Sequence, residues 1–129
     1  MDEIILRCIR SVKSNYEKVK KWNRREDIFS KEYWVLPVNA FGHWFMYFIV
    51  NPEAFVNARA GKAKMVYCDS MFEIREFITA AIRTFISEEL KERKGLTVQL
   101  DPHNLPCYSL ALPRQTNCHD CGLYMLAYI

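Results

Sequence analysis

The segment that most restricts the fold is His43-Trp44-Phe45-Met46-Tyr47-Phe48-Ile49-Val50, apolar throughout and lacking the alternation of a half-exposed strand. Such a run reads as a central strand covered on both faces, the core strand of a sheet. Asn51-Pro52-Glu53 stops it, and the turn residues Asn39-Ala40-Phe41-Gly42 precede it. Before that turn, Tyr33-Trp34-Val35-Leu36-Pro37-Val38 is β-branched and aromatic, so it reads as a second strand with Pro37 at its end or on a sheet edge. A polar loop through Arg59-Ala60-Gly61-Lys62 leads to a third strand, expected over residues 63–68.

Helices surround these strands in the sequence. Within residues 2–22, Ile5, Ile9, Val12, Tyr16 and Val19 recur at three- and four-residue steps, an amphipathic helix with a basic outer face. Ser70 and Glu73 form an S-x-x-E capping box, and Ile74, Phe77, Ile78, Ala81, Ile82, Phe85 and Leu90 make an apolar stripe that stops at Gly95. That stripe is expected to be core. Residues 97–100 and 108–112 are short candidate strands around the turn-rich Asp101-Pro102-His103-Asn104, where His103 reads as a surface residue. With 129 residues, half of them hydrophobic, and no internal repeat or linker, one domain over residues 1–129 is expected.

Charge and cysteine content narrow the function classes. A net charge of +3 is concentrated in residues 10–25 and 91–94, which read as solvated helix faces; no basic stripe interleaves with aromatics, so nucleic acid is not expected as a partner. The apolar run from Trp44 to Val50 is too short to span a bilayer, and Met1-Asp2-Glu3 lacks the basic region of a secretory signal, so no membrane partner is expected. Five cysteines at irregular spacings suit reduced thiols inside the cell.

The stretch that carries chemistry is Leu112-Pro113-Arg114-Gln115-Thr116-Asn117-Cys118-His119-Asp120-Cys121-Gly122-Leu123-Tyr124-Met125-Leu126, a polar loop running into an apolar helical pattern. Leu123, Leu126 and Ala127 recur at helical spacing, which places Cys121 in a first turn whose free N–H groups and positive dipole end favour a thiolate. A buried cysteine packed as a small hydrophobe is the competing reading. A cysteine nucleophile needs a histidine base, a carboxylate to orient it and a donor for the oxyanion. His43 stands at a turn-to-strand junction, Asp69 ends the third strand, and an Asp at one strand end can reach a His at the adjacent end. Gln115, in the loop before Cys121, has a side-chain amide able to donate to an oxyanion. Each has a plainer reading: a structural His, a helix-start Asp, an exposed loop Gln. Cys118-His119-Asp120-Cys121 also has the C-x-x-C form of thioredoxin-like redox proteins, although little chain follows it, and Cys107, Cys118, His119 and Cys121 are suitable zinc ligands that lack a second spaced pair.

In order along the chain, Val19-Lys20-Lys21-Trp22, Asp27-Ile28-Phe29, Leu36-Pro37-Val38, Gly42-His43-Trp44, Tyr67-Cys68-Asp69-Ser70, Pro113-Arg114-Gln115-Thr116-Asn117 and Asp120-Cys121-Gly122 are similar to consecutive signatures of the ubiquitin-like-protein proteases, the SUMO-specific or sentrin-type cysteine peptidases. The resemblance implies a papain-like α+β fold, a sheet flanked by helices with the nucleophile at a helix N-terminus. It implies Cys121 as nucleophile, His43 as general base and acid, Asp69 as orienter and Gln115 in the oxyanion hole. Trp44 would line a narrow tunnel for the Gly-Gly tail of the modifier, which a flexible diglycine can thread and side chains would block. The expected partners are SUMO or another ubiquitin-like modifier and its conjugates, met by a monomer without cofactor or metal in the nucleus or cytoplasm. The family's domain has further helices before and after the part matched here, so the resemblance also implies an incomplete catalytic domain, with a non-catalytic binding module as the alternative. Cys118-His119 stands where the family has a small or polar pair, and its extra thiol suggests a regulatory disulfide with Cys121.

Overall fold

In the computed structural model, which describes residues 25–40, 42–71, 76–110, 112–117 and 119–127, the apolar octet forms strand β2 (His43–Val50). It lies between β1 (Tyr33–Ala40) and β3 (Lys64–Cys68), and a short β4 (Cys107–Ser109) completes the sheet in the order β1-β2-β3-β4. The first three strands run antiparallel, whereas β4 is parallel to β3. The parallel step requires a crossover, supplied by helix α1 (Glu76–Lys94). The consecutive side chains Phe45, Met46 and Tyr47 are all fully buried, so both faces of β2 are covered as its composition demands.

Pro37 lies inside β1, opposite Met46, and not at its end. An edge strand tolerates this because proline withholds only a single ladder donor. The hairpin register runs on to Ala40 and His43, joined through Gly42 at φ 70°, a conformation that glycine adopts without strain. At its far end β2 is stopped by Asn51, whose side-chain amide donates to Ala60 O at 2.7 Å.

Helix α1 packs Ile78, Ala81, Ile82, Ile86 and Leu90 into the core with Leu36, Val38, Tyr67 and Leu105. Two expectations are corrected along it. Phe77 is 56% exposed, and Ile86 is buried in the row that Phe77 was expected to share. A 3.6-residue period marks a face but not its edges, and Phe77 lies beyond the edge that the sheet covers. The helix ends at Gly95, whose φ of 65° turns the chain so that Leu96 N–H reaches Leu90 O. Its basic last turn is paired, not merely solvated: Lys94 meets Asp27 at 3.5 Å, and Arg93 bonds Glu89 and donates to Glu26 O.

Residues 97–100 form no strand; they run as irregular chain beside α1, where Leu100 N–H donates to Ser87 Oγ at 3.4 Å. The strand expected over 108–112 begins one residue earlier and ends at Ser109. The helix expected within residues 2–22 lies outside the described residues, as does Glu73 of the capping box. Buried polar groups are satisfied across the layers: Tyr47 Oη shares a hydrogen bond of 2.8 Å with Thr79 Oγ1, and Arg83 Nε donates to Leu105 O at 3.0 Å.

Candidate active site

Antiparallel pairing puts the start of β2 beside the end of β3; His43 opens β2, and Asp69 directly follows β3. His43 Nε2 and Asp69 Oδ1 are 2.6 Å apart. An ionised carboxylate only accepts, so Nε2 carries the proton of this bond and Nδ1 is the ring nitrogen turned away from Asp69. Phe45, two residues along the same strand face, stacks on the imidazole with centroids 5.8 Å apart and fixes the ring plane.

Asp69 is 1% exposed and is held on every side. Tyr67 Oη donates to its Oδ2, and Met71 N–H donates to its Oδ1 at 2.8 Å. These donors balance the cost of burying the charge. The strand period supplies one of them, because Tyr67 and Asp69 lie two positions apart and so point the same way.

Cys121 is the first residue of helix α2 (Cys121–Ala127), as its spacing predicted. Trp44 N–H donates to Cys121 Sγ at 3.4 Å, which places the sulfur against the residue that follows His43. The turn delivering it is built by Asn117. Asn117 Oδ1 accepts from His119 N–H and Asp120 N–H at 3.0 and 2.9 Å, and its Nδ2 donates to Asp120 Oδ2 at 2.6 Å. Gly122 packs against Trp44, where an added Cβ would stand 3.7 Å from Cδ1 of the half-buried indole. Leu123, expected on the apolar side of α2, is instead 66% exposed.

Gln115 is buried in the loop before α2, not solvated. Its Oε1 accepts from Ser70 Oγ, and its Nε2 donates to Asn117 O at 2.7 Å. A carboxamide nitrogen has two N–H groups, and the second has no partner among the described residues.

The four polar positions singled out in the sequence fall into two groups: His43 is bonded to Asp69, and Gln115 is bonded to the Asn117 turn that leads into Cys121. Tyr67, Ser70 and Asn117 also belong to them; the sequence marked Ser70 only as a helix cap and all three only as parts of family signatures, not the partners they meet here. Cys118 lies outside the described residues. Among the described residues no three His, Cys, Asp or Glu side chains gather to hold a metal ion. Cys68 is a second buried thiol on the neighbouring strand, and burial pushes it up to about 11. A neutral thiol with that environment is a packing residue.

Residues 7–129 match the family model described as the Ulp1 protease family, C-terminal catalytic domain. The chain belongs to the Ulp1 protease family. It is 34% identical over 127 residues to a probable ubiquitin-like-specific protease 2B of Arabidopsis thaliana, a match covering 91% of this chain and 14% of that protein. It is 27% identical to ubiquitin-like-specific protease 2 of Saccharomyces cerevisiae, covering 88% of this chain and 12% of that one. A crystal structure of a de-sumoylating protease superposes with a TM-score of 0.84 at 26% identity, over 99% of this chain and 48% of the other. The Ulp1-family chain thus has the papain-like α+β fold, and it spans only a small part of the length of these curated relatives.

Proposed function

We propose that this Ulp1-family chain carries the catalytic groups of a cysteine peptidase that cleaves after the C-terminal diglycine of a ubiquitin-like modifier, with SUMO the first candidate. The observation that carries the reading is that Cys121 Sγ is bonded by the backbone of Trp44, next to a histidine whose far nitrogen is held by a buried aspartate. Reduced Cys68, Cys107 and Cys121 suit an intracellular setting.

His43 Nδ1 takes the thiol proton as Cys121 Sγ bonds to the carbonyl carbon, and Asp69 keeps the ring in the required tautomer. The carbonyl oxygen becomes an oxyanion, met by the uncommitted N–H of Gln115 and by the Cys121 backbone N–H, which as the first helical amide has no intrahelical partner. Collapse breaks the C–N bond while His43 returns its proton to the leaving amine. Water then attacks the thioester carbonyl, giving a proton to His43; the C–S bond breaks, the modifier leaves with a C-terminal carboxyl group, and His43 returns the proton to the Cys121 sulfur. In this reading Trp44, which lies against Gly122, lines the path of the diglycine tail, whose lack of Cβ atoms lets it thread a narrow passage.

The test is labelling by SUMO, and by ubiquitin in parallel, each carrying a C-terminal electrophile. The expected result is an adduct with SUMO, read by mass spectrometry, that disappears in Cys121→Ala. A folded chain that forms no adduct with either modifier overturns the reading.

A further inference from the structure

Asp69 and Ser70 are adjacent, yet they serve different arms of the site. Asp69 holds His43, whereas Ser70 holds Gln115 twice: its carbonyl accepts the Gln115 main-chain N–H at 3.1 Å, and its hydroxyl donates to Gln115 Oε1. Both partners are shielded, Ser70 at 1% and Gln115 at 9% exposure.

We propose that Ser70 is a positioning residue that clamps the Gln115 carboxamide with its nitrogen side toward the oxyanion. A carboxamide has two orientations of nearly equal shape, and only the one presenting N–H stabilises developing negative charge. The Asn117 carbonyl, which can only accept, selects the orientation by taking one Nε2 proton at 2.7 Å. That choice turns Oε1 inward, where a buried acceptor without a donor is unfavourable. Ser70 is the donor that makes the selected orientation affordable. Without its hydroxyl, Gln115 leaves this pose to find a partner for its oxygen. Placing the clamp one residue after Asp69 ties the positions of base and oxyanion donor to a single peptide unit.

The proposal rests on the peptidase reading, and two measurements keep their failures apart. With a modifier bearing a C-terminal coumarin amide, Ser70→Ala is expected to lower kcat about tenfold or more, approaching the loss on removing an oxyanion donor, with KM within about twofold. In a Gln115→Ala background the same change is expected to lower kcat less than twofold further, because it acts through that side chain. Ser70→Thr, which keeps the hydroxyl, is expected to recover activity. A role limited to capping a helix would lower the melting temperature and leave kcat alone, and full additivity of the two substitutions likewise overturns the clamp.

The second measurement needs no turnover. In the wild-type chain the Gln115 side-chain amide protons are expected to show hydrogen-bonded NMR shifts and slowed exchange, lost in Ser70→Ala. Random-coil behaviour in the wild type overturns the proposal even if Ser70→Ala does not fold. An inactive wild type with protected Gln115 protons removes the peptidase reading and leaves the clamp standing.

Discussion

Asp69 and Glu89 are both carboxylates withdrawn from water, at 1% and 2% exposure, yet their surroundings differ in kind. Glu89 meets Arg93 one turn along its own helix, and Arg93 donates onward to Glu26 O, so the ion pair closes on itself and pins the end of α1 to the chain before β1. Asp69 gathers its donors from β2, from β3 and from the residues that follow β3. One of these partners, His43, has a second ring nitrogen not engaged by Asp69. Glu89 thus belongs to a local ion pair that holds the fold, whereas Asp69 orients a histidine whose other ring nitrogen is turned away from it, the arrangement a general base needs.

Removing each carboxylate separates the two roles most sharply. Asp69→Ala should lower kcat/KM for a modifier–coumarin substrate by on the order of a thousandfold, because His43 loses its tautomer and orientation. Asp69→Asn should cost less, since the carboxamide oxygen still accepts from the imidazole. Glu89→Ala should leave kcat unchanged and lower stability by about 2 kcal/mol, read as a shifted denaturation midpoint, because Arg93 loses a charged hydrogen-bond partner. A kcat loss in Glu89→Ala matching that in Asp69→Ala would break the distinction.

Tyr67→Phe removes one donor from Asp69 while leaving the ring in the core, where its centroid is 5.0 Å from that of Tyr47. It should cost about 1 kcal/mol of stability and reduce activity less than Asp69→Ala does, in keeping with the loss of one neutral donor.

The two buried thiols extend the comparison. At neutral pH, iodoacetamide should modify Cys121 before Cys68, measured by peptide mass mapping, because the Cys68 thiol is raised from 9.0 to about 11 by burial. The folded-state value lies above that of the unfolded thiol. Cys68 therefore contributes stability that is complete below about pH 9 and is lost as the pH rises toward 11, visible as a falling melting temperature over that interval. The smallest effect is expected at Phe77: already exposed, its replacement by serine should change stability by no more than about 0.5 kcal/mol.

Much of the architecture is legible in the chain because a few segments admit one reading. The octet from His43 to Val50 could satisfy its composition only with both faces covered, and Gly95 could only end a helix whose apolar stripe stops before it. Phe77 was misplaced because periodicity cannot mark where a helix face ends, and residues 97–100 because strand character without a neighbouring edge leaves backbone groups unpaired. His43, Asp69, Gln115 and Cys121 were singled out as candidates from residue type, order and resemblance to a protease family, and the structure brings His43 to Asp69 and Cys121 to the Trp44 backbone. The hydrogen-bonding roles of Tyr67, Ser70 and Asn117 were not legible, since serine, tyrosine and asparagine show no partner until the fold brings one to face them.

By itself the sequence determined the central strand, the long amphipathic helix that stops at Gly95 and the family. The tertiary structure alone decided which donors face Asp69 and that Ser70 serves Gln115. It also decided that Cys121 rather than Cys68 meets a backbone N–H beside the histidine. Residue type and local pattern are written in short stretches, whereas hydrogen-bond saturation depends on groups that meet only when β2, β3 and the loop before α2 converge.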